Sequence, residues 1–383
     1  MVGEGVWAEV PEARGSAQPA AAGHSSGARS FLFAGGGTGG HVIPGLAVAR
    51  ELRNRGHAAF FVGTERGLES TLVPREGFPL ELIQIGGLKR VGLRQAATTL
   101  MQLPVSTIYA GRLLRSRRVS AVFSMGGYVA GPPAIAALVR RVPLVIMEPN
   151  AVPGFTNRRI ARFVRRALIS FPETARYFPP GRTELTGLPV REEFFAVPPK
   201  PRGEKLTVLI TGGSQGSRTL NQAARQCWPM FRAAGQPVRI IHQSGAAALD
   251  ELRAAFEASG LEGEVLPFIT DMAAAFAEAD LVVCRSGAGA VAELAAAGKP
   301  SILSPFPFAA DQHQLRNAEA FVRAGAACLV EDRDMSGEKL FETVAKLAAD
   351  AAGLARMGAA ARGLAHSGAA RRAADVLEEV GRA

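Results

Sequence analysis

Four glycine-rich turns, each set between a short apolar run and a segment of helical periodicity, constrain the fold more than any other feature of the sequence. They lie at residues 35–40, 126–127, 212–216 and 287–289. Short apolar runs that alternate with helical segments predict β-α-β units and a mainly parallel, doubly wound sheet. Ligands of such sheets bind beyond the carboxyl ends of the strands. Glycine turns at four strand ends therefore indicate phosphate or diphosphate ligands.

The pattern of strand, glycine turn and helix occurs twice, on either side of a stretch that holds Pro198, Pro199 and Pro201 among charged residues. A chain of 383 residues is long enough for two domains of ordinary size. We predict an α/β fold with two Rossmann-like domains facing each other across a cleft. The predicted parts are a disordered tail (1–29), a first domain (30–188), a linker (189–205), a second domain (206–365) and a C-terminal helical segment (366–383) that packs back on the first domain.

The chain is basic, with a formal net charge of +10 and a pI of about 10.2. An excess of Lys and Arg suits a polyanion, which could be a nucleic acid, an anionic membrane or a phosphorylated substrate. The sequence has no zinc-finger spacing and no aromatic strand of the RNP type, and aromatic residues make up only 7% of it. We therefore expect no nucleic-acid partner.

Three features bear on the compartment. The cysteines Cys227, Cys284 and Cys328 are odd in number and far apart, which is typical of a reducing compartment. The first 29 residues lack the basic start and apolar core of a signal peptide. Glycine and proline residues interrupt the uncharged stretch 119–139, so it predicts a strand, a turn and a helix start rather than a membrane span.

The first glycine turn, GGGTGG followed by His41, carries the clearest chemistry. Glycines let the backbone approach a ligand, and the N–H groups at the start of the next helix form an anion site. The spacing matches neither a Walker A loop nor the dinucleotide fingerprint. A tight turn that serves packing alone is the alternative, although packing does not require so many glycines.

Five segments resemble the MurG family, the undecaprenyldiphospho-muramoylpentapeptide β-N-acetylglucosaminyltransferases of glycosyltransferase family 28. They are 35–49 (GGGTGGHVIPGLAVA), 126–132 (GGYVAGP), 148–157 (EPNAVPGFTN), 212–221 (GGSQGSRTLN) and 283–293 (VCRSGAGAVAE). The resemblance implies the GT-B fold, with the donor in the C-terminal half and the acceptor in the N-terminal half. It implies an inverting, metal-independent transfer of GlcNAc from UDP-GlcNAc to the C4 hydroxyl of the MurNAc of lipid I, giving lipid II and UDP without a cofactor. It also implies a peripheral location on the cytoplasmic face of the plasma membrane, with cell-wall synthesis proteins as partners.

The family's functional residues map onto this sequence position by position. The donor residues are Thr38, Gly39, Gly40, Asn150, Arg191, Ser214, Ile269, Ala288, Gly289, Ala290, Val291, Ala292, Glu293 and Gln314. Within that set the resemblance assigns the backbone of Ile269 to the uracil, Glu293 to the ribose and Gln314 to the GlcNAc ring. His41, Tyr128 and Glu148 match acceptor-side residues with a catalytic role.

The sequence departs from the family pattern at three places: Met147-Glu148-Pro149-Asn150 in place of His-Glu-Gln-Asn, Gly187-Leu188-Pro189 in place of Gly-Asn-Pro, and the small pair Gly289-Ala290 after Ala288. The first and third loosen detailed contacts, but they remove none of Glu148, Asn150 and Glu293.

Glycosyl transfer needs a base for the attacking hydroxyl and a partner for the leaving diphosphate. His41 is the preferred general base, since an imidazole that is neutral near the operating pH suits proton removal. Glu148 is the alternative base, and His41 would then cap a helix or orient the acceptor. Backbone N–H groups at 287–290 would meet the diphosphate charge. The one Asp-x-Asp match, Asp332-Arg333-Asp334, is interpreted as a solvated loop away from the glycine turns.

The stretch 86–118 contains Lys89, Arg90, Arg94 and four further arginines, interleaved with apolar residues and without any acidic residue. A basic, apolar segment of this kind is typical of a surface that binds anionic membranes, and Lys89, Arg90 and Arg94 are the predicted membrane residues. A solvated helix face is the alternative interpretation.

Two other functions fit parts of the sequence. One is a different GT-B enzyme, either a diacylglycerol glycosyltransferase or a UDP-GlcNAc 2-epimerase, which would share the donor turns. The other is a non-catalytic UDP-sugar-binding scaffold at the membrane. The first glycine turn with His41 and the Glu148-Pro149-Asn150 block argue against both.

Overall fold

The computed structural model describes residues 27–37, 39–86, 93–201 and 203–382, and the side chains of residues 93–97 are outside this description. Most of the predicted N-terminal tail therefore lies outside the described residues, as do Thr38, Lys89 and Arg90. For Arg94 only the backbone is described.

The first domain is built on a parallel sheet of seven strands in the described part of the chain. Its strands are β1 (Ser30–Gly35), β2 (Ala58–Gly63), β3 (Leu80–Leu82), β4 (Val119–Gly126), β5 (Leu144–Glu148), β6 (Arg166–Ile169) and β7 (Thr183–Leu185). Its helices are α1 (Gly39–Asn54), α2 (Glu69–Arg75), α3 (Leu93–Ser116), α4 (Gly131–Val139) and α5 (Phe155–Ile160), with 3₁₀ turns at Ala161–Phe163 and Pro172–Tyr177. Two apolar cores cover the two faces of this sheet, one under α1 and the other under α3, α4 and α5.

The second domain repeats the design with a six-stranded parallel sheet. Its strands are β8 (Leu206–Thr211), β9 (Val238–Gln243), β10 (Glu262–Leu266), β11 (Leu281–Cys284), β12 (Ser301–Leu303) and β13 (Ala327–Leu329). The helices are α6 (Glu192–Phe195), which precedes β8, and α7 (Arg218–Ala233), α8 (Leu249–Ser259), α9 (Met272–Glu278), α10 (Ala288–Ala297), α11 (His313–Arg323), α12 (Gly337–Ala349), α13 (Ala351–Gly363) and α14 (Ala369–Val380). Short 3₁₀ turns lie at Ala246–Ala248, Ala310–Gln312 and Asp332–Asp334.

The strand order explains where the glycine turns meet. The first sheet has the order β3-β2-β1-β4-β5-β6-β7 and the second has β10-β9-β8-β11-β12-β13, so each sheet reverses its winding beside its first strand. At these switch points the loops after β1 and β4, and after β8 and β11, leave the sheet side by side and open a crevice for a ligand. All four glycine turns of the sequence follow one of these four strands. The predicted fold class, two doubly wound parallel-sheet domains, is confirmed.

Two segments connect the domains. The stretch predicted as a linker contains α6, whose Phe194 is fully buried against Phe276 with ring centroids 5.3 Å apart. After α13 the chain crosses back, and α14 buries its apolar face, including Val376 and Leu377, in the core under α1. Ion pairs fix this helix to the first domain, among them Arg55 to Asp375 at 2.6 Å.

Candidate functional site

The carboxyl ends of both sheets open into one cleft of about 1060 Å³. Of the predicted donor residues, those that line this cleft are Gly39, Gly40, Arg191, Ser214, Ile269, Gly289, Ala290, Glu293 and Gln314. Ala288, Val291 and Ala292 instead line a second, mostly apolar cavity of about 380 Å³ between the domains. Helix α10 separates the two cavities. Residues of its first two turns therefore face one cavity or the other according to the helical period, although they are neighbours in sequence.

The start of α10 faces the cleft without a side-chain cap. Gly287 is the N-cap residue, and it has no side chain to accept a hydrogen bond from the first turn of the helix. The first N–H groups of a helix have no partner within it, and the helix dipole places partial positive charge on them. This turn therefore offers backbone donors to an anion at the mouth of the second sheet.

Glu293 lies one turn further along α10. Burial raises the pKa of its carboxyl to about 7, the charge of Arg191 opposes that rise, and the charge of Glu193 adds to it. Arg191 and Glu193 form an ion pair of 2.7 Å at the rim of the site. The carboxyl therefore titrates near neutral pH while lining the cleft.

Gln243 and Arg285 hold the loops of the donor half through side-chain hydrogen bonds, and no local sequence pattern indicates either residue. Gln243 is buried; its amide donates to Thr211 and to the carbonyl of Gly213, and its Oε1 accepts the N–H of Ile269 at 2.8 Å. The N–H of Ile269, whose backbone the resemblance assigns to the uracil, is therefore engaged by a side chain in this structure.

Arg285 lies between the third and fourth glycine turns. Its guanidinium donates to the hydroxyl of Ser217 at 2.7 Å and to the carbonyl of Ser304 at 3.0 Å, and it pairs with Asp332 at 2.6 Å. Asp332 also lines the cleft, so its interpretation as a solvated residue away from the glycine turns is wrong. Within the ranges that the structure covers, no three His, Cys, Asp or Glu side chains come together as a possible metal site.

The segment that leads into α11 has an unusual backbone. Asp311 and Gln312 both have positive φ, at 49° and 54°, a conformation that non-glycine residues rarely adopt and that clusters at functional sites. The next turn carries Gln314, whose Oε1 accepts the N–H of Phe306 at 2.9 Å. This contact ties the exposed Phe306 and Phe308 to the start of α11 at the edge of the cleft.

His41 lies in the first turn of α1, on the acceptor side. Burial lowers the pKa of its imidazole below the ordinary value; the hydrogen bond with the backbone of Gly36 raises it, the charge of His313 lowers it further, and the charge of Glu69 raises it. Across the gap, the ring of Tyr128 packs over Gly37, so the second glycine turn faces the first. The imidazole is therefore held largely neutral near pH 7.

Glu148, at the end of β5, has a different environment. It is 1% exposed, and each of its oxygens accepts two hydrogen bonds. Asn150 donates twice to Oε1, while Gly154 and Asn157 donate to Oε2. Burial raises the pKa of this carboxyl and the hydrogen bonds oppose the rise. In this geometry Glu148 fixes the loop that follows β5 and presents no free oxygen to the cleft.

Glu69, at the start of α2, is a residue that sequence reasoning missed. It is fully buried; its Oε2 accepts the N–H of Gly37 at 2.8 Å, and its Oε1 accepts both the N–H and the hydroxyl of Thr64 at 2.9 Å. Added Cβ atoms at Gly36, Gly63 and Gly67 would stand within 2.5 Å of this side chain. Part of the glycine content of this region therefore makes room for one carboxylate that holds the first turn.

Comparisons with known proteins match both domains of the chain. The family model described as the glycosyltransferase family 28 N-terminal domain matches residues 31–169, and the corresponding C-terminal domain matches residues 207–378. The chain is 68% identical, over 93% of its length and 97% of the relative's, to the UDP-N-acetylglucosamine–N-acetylmuramyl-(pentapeptide) pyrophosphoryl-undecaprenol N-acetylglucosamine transferase of Solibacter usitatus. It is 42% identical to the protein of the same name from Anaeromyxobacter sp. (strain Fw109-5), over 92% of this chain and 93% of the relative.

Solved structures give the same result. The crystal structure of Acinetobacter baumannii MurG superposes with a TM-score of 0.78 at 32% identity, covering 92% of this chain and 99% of that one. A protein named putative UDP-N-acetylglucosamine 2-epimerase, from Listeria monocytogenes, superposes with a TM-score of 0.66 at 13% identity. The match covers 90% of this chain and 94% of that one, and it is a likeness of fold alone. With both domain models matched in order and relatives aligned over nearly their whole length, the chain belongs to glycosyltransferase family 28 and, within it, to the MurG family.

Proposed function

We propose that this chain transfers GlcNAc from UDP-GlcNAc to lipid I, the undecaprenyl-diphospho-MurNAc-pentapeptide, and so forms lipid II and UDP in peptidoglycan synthesis. The observation that carries the proposal is the 68% identity, over 93% of the chain, to a relative named for this reaction. The cleft supports it, because residues of both domains line it, among them Gly40 from the first domain and Glu293 and Gln314 from the second.

On the donor side, the diphosphate of UDP-GlcNAc binds at the uncapped start of α10. Its charge grows as the bond to the sugar breaks, and the N–H groups of this turn are already oriented toward it. One preorganised donor of this kind contributes about 3–4 kcal/mol to the transition state. We propose that these backbone N–H groups replace a divalent cation and that the reaction is metal-independent. Glu293 accepts the ribose hydroxyls, and Gln314 contacts the GlcNAc ring.

On the acceptor side, His41 removes the proton of the C4 hydroxyl of MurNAc. The oxygen attacks C1 of GlcNAc from the side opposite the diphosphate; the C1–O bond to UDP breaks, and the configuration at C1 inverts. The lowered pKa of His41 supports this role, because a neutral imidazole can accept the proton. Glu148, with both oxygens occupied, supports the reaction by fixing the loop that carries Asn150.

The first domain has a surface suited to a lipid-linked substrate. Helix α3 exposes Leu100, Met101, Val105 and Ile108, with exposed fractions of 58–70%. On the same side of the sheet, α5 and the 3₁₀ turn after it expose Arg158, Arg159, Arg162 and Phe163. No helix in the described ranges is long and apolar enough to cross a membrane. We propose peripheral binding of this face to the anionic cytoplasmic leaflet, and Lys89, Arg90 and Arg94, in the sequence at and before the start of α3, remain the predicted membrane residues.

The decisive experiment measures UDP release from UDP-GlcNAc with and without lipid I, in the presence of EDTA. We expect release that depends on lipid I and persists with the chelator, and we expect His41→Ala to lower kcat about 100- to 10,000-fold. Release that requires added magnesium would refute metal independence. Formation of UDP-ManNAc without any acceptor, transfer to diacylglycerol, or binding of UDP-GlcNAc without turnover would refute the proposed reaction.

A further inference from the structure

A buried hydrogen-bond relay joins the two domains, and Asn317 on α11 is its centre. This side chain is fully buried, and its Oδ1 accepts the backbone N–H of Ala151 at 3.0 Å. Its Nδ2 donates to Oδ1 of Asn150 at 3.1 Å and to the carbonyl of Ser286 at 3.2 Å. One amide group therefore binds the loop after β5 in the first domain and the fourth glycine turn in the second.

Each end of this relay is itself fixed. In the first domain, the amide of Asn150 also donates to Glu148 at 3.1 Å, and the hydroxyl of Thr174 donates to the carbonyls of Asn150 and Ala151. These contacts fix the loop within the first domain.

In the second domain, the hydroxyl of Ser286 donates to the carbonyl of Gln314 at 2.8 Å. Ser286 immediately precedes Gly287, the N-cap of α10, so its carbonyl belongs to the turn that faces the cleft. The relay thus runs from the buried carboxylate of β5 to the start of the helix that offers backbone donors to the diphosphate.

We propose that Asn317 is a positioning residue that sets the donor turn and the acceptor-side loop at the separation that transfer requires. This inference rests on the proposed function, because it assigns the two loops to the two substrates. The hydrogen bonds of this amide to Ala151 and Ser286 are buried, and the one to Asn150 is partly buried. An unpaired polar atom is costly in such an environment. Coupling between two binding sites is reciprocal. Bound UDP-GlcNAc that orders the turn at 287–290 therefore also orders the loop at 149–154 through the side chain of Asn317.

A double-mutant cycle with Asn317→Ala, Asn150→Ala and the double variant tests the relay. Asn317→Ala removes all three hydrogen bonds of the amide. For this variant we expect kcat with lipid I to fall about 10- to 100-fold, while the dissociation constant for UDP-GlcNAc in calorimetry changes less than about threefold. The double variant should be no slower than the slower single variant, because both changes break the same relay.

Arg323→Ala is the matched control. Arg323 lies on the same helix and pairs across the same interface with Glu173 at 2.6 Å, but its side chain is exposed. We expect its kcat to stay within about twofold of the wild-type value, since exposed ion pairs contribute little. The proposal is overturned if Asn317→Ala loses no more activity than this control, or if the losses of the two single variants multiply in the double variant.

The same proteins are also unfolded thermally without substrate. A relay predicts that the double variant lowers Tm by less than the sum of the two single variants, and a strictly additive loss contradicts it. This measurement does not depend on lipid I, so a wild-type enzyme that fails to release UDP would refute the proposed reaction while the relay remains testable. If Asn317→Ala does not fold, Asn317→Ser, which keeps a hydroxyl at the interface, takes its place in both cycles.

Discussion

At the residue scale, the protonation state of the Glu293 carboxyl should make both the stability of the fold and the binding of UDP-GlcNAc depend on pH. Its pKa is about 7 in the folded chain because burial disfavours the charged form, against 4.5 for an ordinary glutamate. The unfolded state therefore loses its proton first, and this group removes stability from the folded state as the pH rises from 4.5 to 7. A pKa shift of this size lowers the free energy of unfolding by about 3 kcal/mol above pH 7.

Glu293→Gln should therefore be more stable than wild type at pH 8 and similar near pH 5, because the amide never becomes charged. It should also bind UDP-GlcNAc about tenfold or more weakly at pH 8, since ribose hydroxyls donate more strongly to a carboxylate than to an amide. Urea unfolding and calorimetry between pH 5 and 8.5 measure both quantities. Glu193→Gln, an exposed neighbour, is the control. A donor affinity that does not change with pH in the wild-type protein would contradict this role.

Glu69 gives a second prediction at this scale. Glu69→Gln turns an acceptor into a donor facing either the N–H of Gly37 or that of Thr64, which leaves one buried hydrogen bond unmade and costs about 1–3 kcal/mol. Loss of the negative charge also lowers the pKa of His41, because the Glu69 charge raises it.

The acid limb of the kcat/KM profile should then move to lower pH, and the maximal rate should fall as the first glycine turn loosens. Rate profiles and NMR titration of the His41 ring check the two effects separately. Glu65→Gln, an exposed glutamate nearby, should change neither. An unaltered His41 titration in Glu69→Gln would show that the carboxylate does not act on the imidazole.

At the element scale, the glycine turns were predictable from sequence and the residues that hold them were not. Each turn follows an apolar strand directly, so a local pattern located all four. Glu69, Gln243 and Asn317 act through contacts with residues 26 to 167 positions away, which no local pattern reveals. The short strands β6 and β7 carry too few residues for a clear period, and the sequence does not predict them.

Helix α3 carries the prediction for membrane binding. Met101→Asp with Val105→Asp places two charges in its exposed apolar face. Arg90→Glu with Arg94→Glu reverses two of the predicted basic membrane residues. Both pairs should reduce co-sedimentation with anionic vesicles at low salt, since each basic residue near the surface contributes about 1 kcal/mol. Val322→Asp, on the second domain, should sediment like wild type. Undiminished sedimentation of both double variants would show that another surface binds the membrane.

At the scale of the whole molecule, the chain crosses between the domains twice, and these two crossings are in contact at Gly187 and His366. Gly187 has φ of +73°, and a Cβ added there would stand 2.5 Å from the Cβ of His366. The first crossing leads into the second domain, and the second returns the chain to α14 on the first domain. The geometry of this contact therefore contributes to the separation of the two sheets, and with it to the width of the cleft.

Gly187→Ala tests this whole-molecule role against Gly181→Ala. Both glycines have φ near +75°, so both substitutions incur the left-handed cost of about 1–2 kcal/mol, but a Cβ at position 181 meets no atom within 4 Å. The difference between the two variants therefore isolates the collision with His366. We expect Gly187→Ala to have the lower Tm and to lose kcat for lipid I, because pushing the crossings apart changes the distance between His41 and the donor turn. Its affinity for UDP-GlcNAc should fall less than its kcat, since most of the donor residues lie within one domain. Equal kcat in the two alanine variants would mean that the contact between Gly187 and His366 does not set the width of the cleft.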